Sequence, residues 1–174
     1  IGGGAVGTEK IGAILKNSPA ASIKVVAPEI SQAIVDWTKI HSGLKLSYKA
    51  YTLSDLAGAD LVVAATCITF LNVQVQIDAK QQGILINVAD TPELCDFYLG
   101  SIVQKGALKI AISTNGQSPT FAKRMRELLE DVLPDSIDAI LQQLNEIRNK
   151  LKGDFEYKVK KMDEITKAMK DDLK

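Results

Sequence analysis

IGGGAVGTEK, residues 1–10, is the stretch whose reading decides the fold. Gly2, Gly4 and Gly7 fit the spacing G-x-G-x-x-G, and the run opens directly into a helical pattern. Val6, Ile11, Ile14 and Leu15 recur at helical intervals until Asn17-Ser18-Pro19 ends them. In a dinucleotide site the first glycine makes a tight turn, the second lets backbone approach a pyrophosphate, and the third lets helix and strand pack closely. The amides of Ala5 and Val6 then stand at a helix N-terminus, where free N–H groups and the dipole favour an anion. A plain glycine turn is the competing reading. The strand SIKVVAP, following at the right distance, favours the dinucleotide site. The run reads as the middle of a strand–turn–helix motif, so a strand is expected to precede Ile1.

Outward from this turn, strands and helices alternate. SIKVVAP is β-branched and stopped by Pro28; residues 31–41 predict a helix with Ile34, Trp37 and Ile40 inward. LKLSYKAY alternates like a strand, and LAGADLVVAAT holds the continuous apolar run of a strand buried on both faces. Residues 69–80 are helical and GILINVAD is another strand. This rhythm means βαβ units and a parallel sheet. After Asp96 it changes: SIVQKG and ALKIAIST predict two consecutive strands around Lys105-Gly106, and residues 118–133 a helix opened by Ser118-Pro119. Beyond Pro134 all is helical. Ile137, Ile140, Leu141, Leu144, Ile147 and Leu151 form one stripe; Phe155, Val159, Met162, Ile165 and Met169 form a second, separated at Gly153.

Composition narrows the function classes. Of 174 residues, 46% are hydrophobic and 24% charged, which suits a globular protein with a substantial core. Lys+Arg and Asp+Glu balance at 21 each, so no global field draws the chain to nucleic acid or a membrane surface. Aromatic content of 5% leaves little to stack bases. Cys67 and Cys95 are too few for a disulfide framework and fit a reducing cytosol. The apolar run at residues 61–65 is far short of the ~20 residues that span a bilayer.

Candidate site residues fall in three places. Glu29, after Ala27-Pro28, is the acid expected near ribose hydroxyls, though a surface glutamate after a turn reads equally well. No Arg follows that strand closely, which favours NAD over NADP. Asp90 falls just past a strand's carboxyl end, where parallel sheets place ligands. Equally, it could only cap the turn through Thr91-Pro92. Between residues 105 and 126 stand five cations (Lys105, Lys109, Lys123, Arg124, Arg126) and no acids, which suggests a local site for a polycarboxylate or phosphate. His41 is a lone histidine in a connection, and no His/Cys/Asp cluster has metal-ligand spacing, so no resident metal site is expected.

IGGGAVGTEK, VVAPEI, LVVAAT…N, INVADTPELCDF and IAISTNGQSP, in that order and spacing over residues 1–133, resemble the siroheme-synthase dehydrogenase module, the precorrin-2 dehydrogenase/sirohydrochlorin ferrochelatase family. The resemblance implies an α/β chain: a Rossmann-like parallel sheet over residues 1–97, a small α+β dimerisation segment over 98–133, and a C-terminal helical subdomain over 134–174. It implies NAD-dependent oxidation of precorrin-2 to sirohydrochlorin by a cytoplasmic homodimer, with Asp90 as the proton-accepting carboxylate. Nucleotide contacts are expected at Gly2, Gly4, Ala5, Val6, Gly7, Pro28, Glu29 and Thr66. Substrate candidates are Asn87, Thr114, Asn115, Gly116, Ser118, Lys105, Lys123, Arg124 and Arg126, since the macrocycle carries eight carboxylates. Cys67-Ile68 stands where the family usually has acids, and Glu9-Lys10 where it has Arg-Lys. A bifunctional enzyme that also inserts ferrous iron is the neighbouring alternative; a non-catalytic NAD-sensing module is the alternative from another class.

Overall fold

The computed structural model describes residues 1–167; Met169 of the second stripe lies outside them. The chain gathers into two compact units: Ile1–Ser101 with Ser113–Pro119, and Ile102–Ile112 with the chain from Thr120 onward.

The first unit opens with α1 (Ala5–Asn17). It continues through β1 (Ile23–Ala27), α2 (Gln32–Trp37), β2 (Leu44–Tyr48), β3 (Leu61–Ala64), α3 (Thr69–Gln81) and β4 (Leu85–Val88). β1 and β2 pair in parallel, with Val25 opposite Leu46; so do β3 and β4, with Val62 opposite Ile86. Parallel neighbours need a crossover, which α2 and α3 supply. Between the two pairs runs the backbone of Ile1 and Gly2. The Ile1 amine donates to the Val63 carbonyl at 2.7 Å, and the Ala65 N–H donates to the Ile1 carbonyl at 2.8 Å. That is the bonding of a parallel ladder astride Ala64. On the other side the Gly2 N–H donates to the Val26 carbonyl at 3.0 Å. The order across the unit is therefore β2, β1, Ile1-Gly2, β3, β4, and the glycine run begins where the chain leaves the middle of the sheet.

Two apolar clusters form the core. Ile11 and Leu15 of α1, Ile34 of α2, Val25 and Leu44 make one; Val75 and Ala79 of α3 with Leu56, Val62, Ala64, Ile86 and Val88 make the other. Ile34, Val75 and Ile86 are completely buried, each contributing about 1.5–3 kcal/mol of apolar burial. The helix expected over 31–41 stops early, at Trp37. Thr38 Oγ1 donates back to the Val35 carbonyl at 2.7 Å, and tight turns through Lys39 and Ile40 follow. Ile40 is consequently 75% exposed instead of inward.

One buried carboxylate holds the connection after β2. Asp55 lies in a short 3-10 turn (Leu53–Leu56) and accepts from Lys24 Nζ at 2.8 Å and Lys49 Nζ at 2.6 Å. It also accepts from the Thr52 N–H and hydroxyl, both at 3.0 Å, completing a capping box. Burial alone would raise this carboxyl, but the Lys24, Lys49 and Thr52 donors outweigh it and hold Asp55 well below the usual carboxylate range.

In the second unit β5 (Ser101–Lys105) and β6 (Leu108–Ile112) form a two-stranded sheet turning at Gly106. Helices α4 (Pro119–Val132), α5 (Ile137–Lys150) and α6 (Phe155–Thr166) follow. Asp138 of α5 accepts from the Ala107 N–H at 2.8 Å, and Lys105 pairs with Asp135 at 2.6 Å, tying the start of α5 to the hairpin loop. Gly153 separates α5 from α6 as expected, yet neither helix buries a residue, and Phe155 and Val159 are 72% and 51% exposed. Among the described residues no helix is long and apolar enough to cross a membrane.

Candidate active site

The glycine turn divides its labour unequally. A Cβ on Gly2 would strike the Ala65 carbonyl oxygen, one on Gly3 would come within 2.5 Å of the Glu29 carbonyl oxygen, and one on Gly7 would strike the Gly2 carbonyl oxygen. These three glycines serve the close approach of protein to protein. A Cβ on Gly4 meets nothing within 4 Å. Gly4 is also the N-cap of α1, no side chain caps it, and Ala5 and Val6 beyond it are exposed. The helix end with its orphan N–H groups thus faces outward across a surface kept bare of side chain, which fits a pyrophosphate. The neighbouring loops are braced: the Ser31 N–H donates to the Gly3 carbonyl at 2.8 Å, and the Thr8 and Ser31 hydroxyls share a bond at 2.7 Å. Pro28 and Glu29 follow β1 directly and are exposed.

Thr66 follows β3 and is clamped by Asn72 of α3. Asn72 Oδ1 accepts from the Thr66 N–H at 3.2 Å and lies 2.7 Å from the Thr66 hydroxyl, while Asn72 Nδ2 donates to the Thr66 carbonyl at 3.0 Å. Asn72, the closing residue of the LVVAAT…N motif, is buried, although it was not among the nominated site residues. Its signal was a polar residue on the inward face of α3. Cys67 is exposed in the same loop, and Ile68, 55% exposed, is the α3 N-cap. Lys10 pairs with adjacent Glu9 at 3.1 Å, so the cation after the glycine turn is locally offset.

Asp90 sits where glycine would be the ordinary choice. The Thr91 N–H closes a turn onto the Val88 carbonyl at 3.3 Å, and Asp90, third in that turn, has φ +58°. Turns with a positive φ at the third position normally take Gly or Asn. A non-glycine residue in the left-handed region is a local cost that persists only when its surroundings impose it. The Ala89 N–H donates to the Ala64 carbonyl at 2.9 Å, which anchors the turn to the carboxyl end of β3. The Asp90 side chain is left exposed.

The chain after this turn folds back onto β4. The Asp96 N–H donates to the Ile86 carbonyl at 2.8 Å and Asp96 Oδ2 accepts from the Ile86 N–H at 3.0 Å. Asn87 is buried and donates its amide to the Phe97 carbonyl at 2.8 Å and to Cys95 Sγ at 3.4 Å. Asn87 is therefore spent on holding the 95–97 strap. The turn at 114–117 is closed from the Gln117 N–H to the Thr114 carbonyl at 3.0 Å, with Asn115 at φ +50° and Gly116 at φ +79°. Two successive positive φ values make this a type I′ turn, which Asn-Gly suits best. Thr114 Oγ1 accepts from the Ser118 N–H at 3.0 Å. Gly116 faces Pro92 and the Tyr98 ring, where a Cβ would lie 3.6 and 3.7 Å away. The Asp90 loop and the Asn115-Gly116 turn are therefore neighbours. Tyr98, 44% exposed with its hydroxyl 3.3 Å from the Pro92 carbonyl, joins them and was not anticipated.

The cations belong to the second unit and are less available than the acid-free stretch suggested. Lys105 is paired with Asp135, Arg124 with Glu127 at 2.7 Å and Arg126 with Glu130 at 3.1 Å. The compensating acids lie just beyond the stretch and come back through hairpin and helix spacing. Lys123 is exposed and holds no ion pair among the described residues. No group of three or more metal-ligating side chains gathers among the described residues.

A family described as putative NAD(P)-binding matches residues 1–101, and the sirohaem biosynthesis protein central family matches residues 105–131. The siroheme synthase of Nitrosococcus oceani is 34% identical over 152 residues, 87% of this chain and 32% of that protein. The siroheme synthase of Psychrobacter cryohalolentis is 36% identical over 156 residues, 88% of this chain and 29% of that protein. The chain thus spans about a third of the length of these curated relatives. The solved structure of SirC, precorrin-2 dehydrogenase, superposes with a TM-score of 0.72 at 30% identity, covering 94% of this chain and 81% of that one.

Proposed function

The chain belongs to the NAD(P)-binding family of sirohaem biosynthesis, and from that premise we propose that it oxidises precorrin-2 to sirohydrochlorin with NAD. The observation that carries this reading is Asp90: an exposed carboxylate held at φ +58° at the carboxyl end of the sheet that also carries the glycine turn. NAD, when bound, supplies the hydride acceptor. The protein's own part is to position and to take a proton. The bare surface at Gly4 and the outward N-terminus of α1 hold the pyrophosphate, and Glu29 stands at the end of β1 for the ribose hydroxyls. Of the two hydrogens the macrocycle loses, one would leave as a hydride, which bound NAD would take up, and Asp90 would accept the other as a proton at a carboxylate oxygen and pass it to solvent. The 114–117 turn neighbours the Asp90 loop through Gly116, Pro92 and Tyr98, which supports Thr114, Asn115, Gly116 and Ser118 as the proposed substrate wall, and Asn87 holds the 95–97 strap.

The chain acts in the cytoplasm as a homodimer, with the 98–133 segment in the interface; the exposed Phe121, Leu128 and Val132 of α4 support this. The test uses the full-length protein with precorrin-2 generated in situ under anaerobic conditions. NAD-dependent appearance of sirohydrochlorin absorbance is expected, followed by its slow persistence or its faster conversion when ferrous iron is added, which separates a dehydrogenase from a bifunctional enzyme. Bound NAD with no product would instead mark a nucleotide-sensing module.

A further inference from the structure

We propose that Cys95 is a positioning residue for the reaction, its thiol setting the conformation of the turn that presents Asp90. This rests on the dehydrogenase reading above. Cys95 is half-buried and stands at the centre of the 88–91 turn. Its Sγ accepts from the Val88 N–H at 3.2 Å and from Asn87 Nδ2 at 3.4 Å. Its S–H reaches the Val88 carbonyl at 3.2 Å and the Thr91 carbonyl at 3.4 Å, one at a time because the thiol has a single proton. Val88 and Thr91 are the first and last residues of the turn in which Asp90 is third. One sulfur therefore touches both ends of the turn, and Asn87 is oriented by the same atom while it holds Phe97.

A backbone in the left-handed region at a non-glycine residue needs such over-determination. The Thr91–Val88 bond of 3.3 Å is long for N–H to O, so the main chain alone closes the turn weakly. Sulfur also suits the distances. Its contacts of 3.2–3.4 Å are ordinary for a thiol, whereas a serine hydroxyl would need to draw its partners several tenths of an ångström closer. Cysteine is accordingly the residue whose size and weak donor-acceptor pair match this turn without tightening it.

The test compares Cys95→Val, which stays apolar and removes both bonding capacities at the cost of one extra methyl group, with Cys95→Ser, which keeps the capacities and shortens the reach. Cys95→Val is expected to lower kcat about 10- to 100-fold, the scale of a misplaced catalytic group, with NAD affinity unchanged. Cys95→Ser should recover part of that loss. In an Asp90→Asn background Cys95→Val should cost nothing further, because it acts only through Asp90. An equal loss in both backgrounds, or full activity in Cys95→Val, would overturn the proposal. Amide hydrogen exchange supplies a readout free of turnover: Val88 and Thr91 should exchange faster in Cys95→Val while Val25 and Val26 of β1 do not. If the unaltered protein fails to oxidise precorrin-2, the dehydrogenase reading falls, and unchanged Thr91 exchange in the variant would then refute the role of Cys95 separately.

Discussion

At Asp90 the fold and the proposed chemistry want different residues. The turn at 88–91 favours glycine at its third position, and the proposed reaction would use a carboxylate there. Asp90→Gly is therefore expected to raise stability, by up to about 1 kcal/mol from relief of the left-handed backbone, while turnover falls by orders of magnitude. Thermal denaturation and sirohydrochlorin formation, measured on the same preparation, check both halves. Asp90→Asn, which tolerates this φ, should keep NAD binding and lose turnover; retained turnover would remove Asp90 from its role. The glycines give a second pair of opposite outcomes. Gly4→Ala should weaken NAD binding at least tenfold in a titration and leave the melting temperature alone, since its Cβ projects only into open space. Gly7→Ala should cost about 2 kcal/mol of stability, the range of an overpacked core, because its Cβ meets the Gly2 carbonyl.

Among elements, the Asp55 cluster is the one that ties β1, β2 and the following connection into a single piece. Its carboxyl titrates below the range of an unfolded aspartate. Stabilisation of this sign is fully present above the unfolded value of about 3.9 and is lost as pH falls from there toward the folded value. Denaturant titrations between about pH 6 and pH 2 should show the unaltered protein losing stability on the acid side. Asp55→Asn should be less stable at pH 7 by about 2 kcal/mol, the scale of hydrogen bonds to a charged group, and should respond less to acid. Identical acid limbs would exclude the cluster as their source. The elements also mark where periodicity misleads. Alternation and apolar runs located the six strands found among the described residues, because a strand's two faces are written into alternate residues. Residues 31–41 satisfied helical spacing too, but the Thr38 hydroxyl bond to Val35 and the turns after it ended the helix, and no apolar count registers that competition.

At the scale of the whole molecule, the second unit carries more exposed apolar surface than a closed helical subdomain should. Leu128 and Val132 are 53% and 67% exposed on α4, and α5 and α6 bury no residue. The proposed homodimer would give that surface a partner. Sedimentation at micromolar concentration should find a dimer, and Val132→Asp with Leu128→Asp should shift it to monomer while the first unit keeps NAD affinity. A monomeric unaltered protein would exclude this interface.

What the sequence determined by itself was whatever depends on neighbours along the chain. The glycine spacing, the strand–helix rhythm, Asp90 at a strand end and the Asn115-Gly116 turn are all local, and local chemistry dictates them. The tertiary structure decided what depends on residues far apart. It showed that Gly2, Gly3 and Gly7 make room for carbonyls of the protein itself, while a Cβ on Gly4 would meet nothing within 4 Å. It returned Asp135 to Lys105 across thirty positions of sequence, cancelling charge that the acid-free stretch had seemed to leave uncompensated. It also brought Cys95 under the Asp90 turn and Asn72 under Thr66. Close approach and charge pairing are set by distance in space, and only the packed strands and helices bring such residues together.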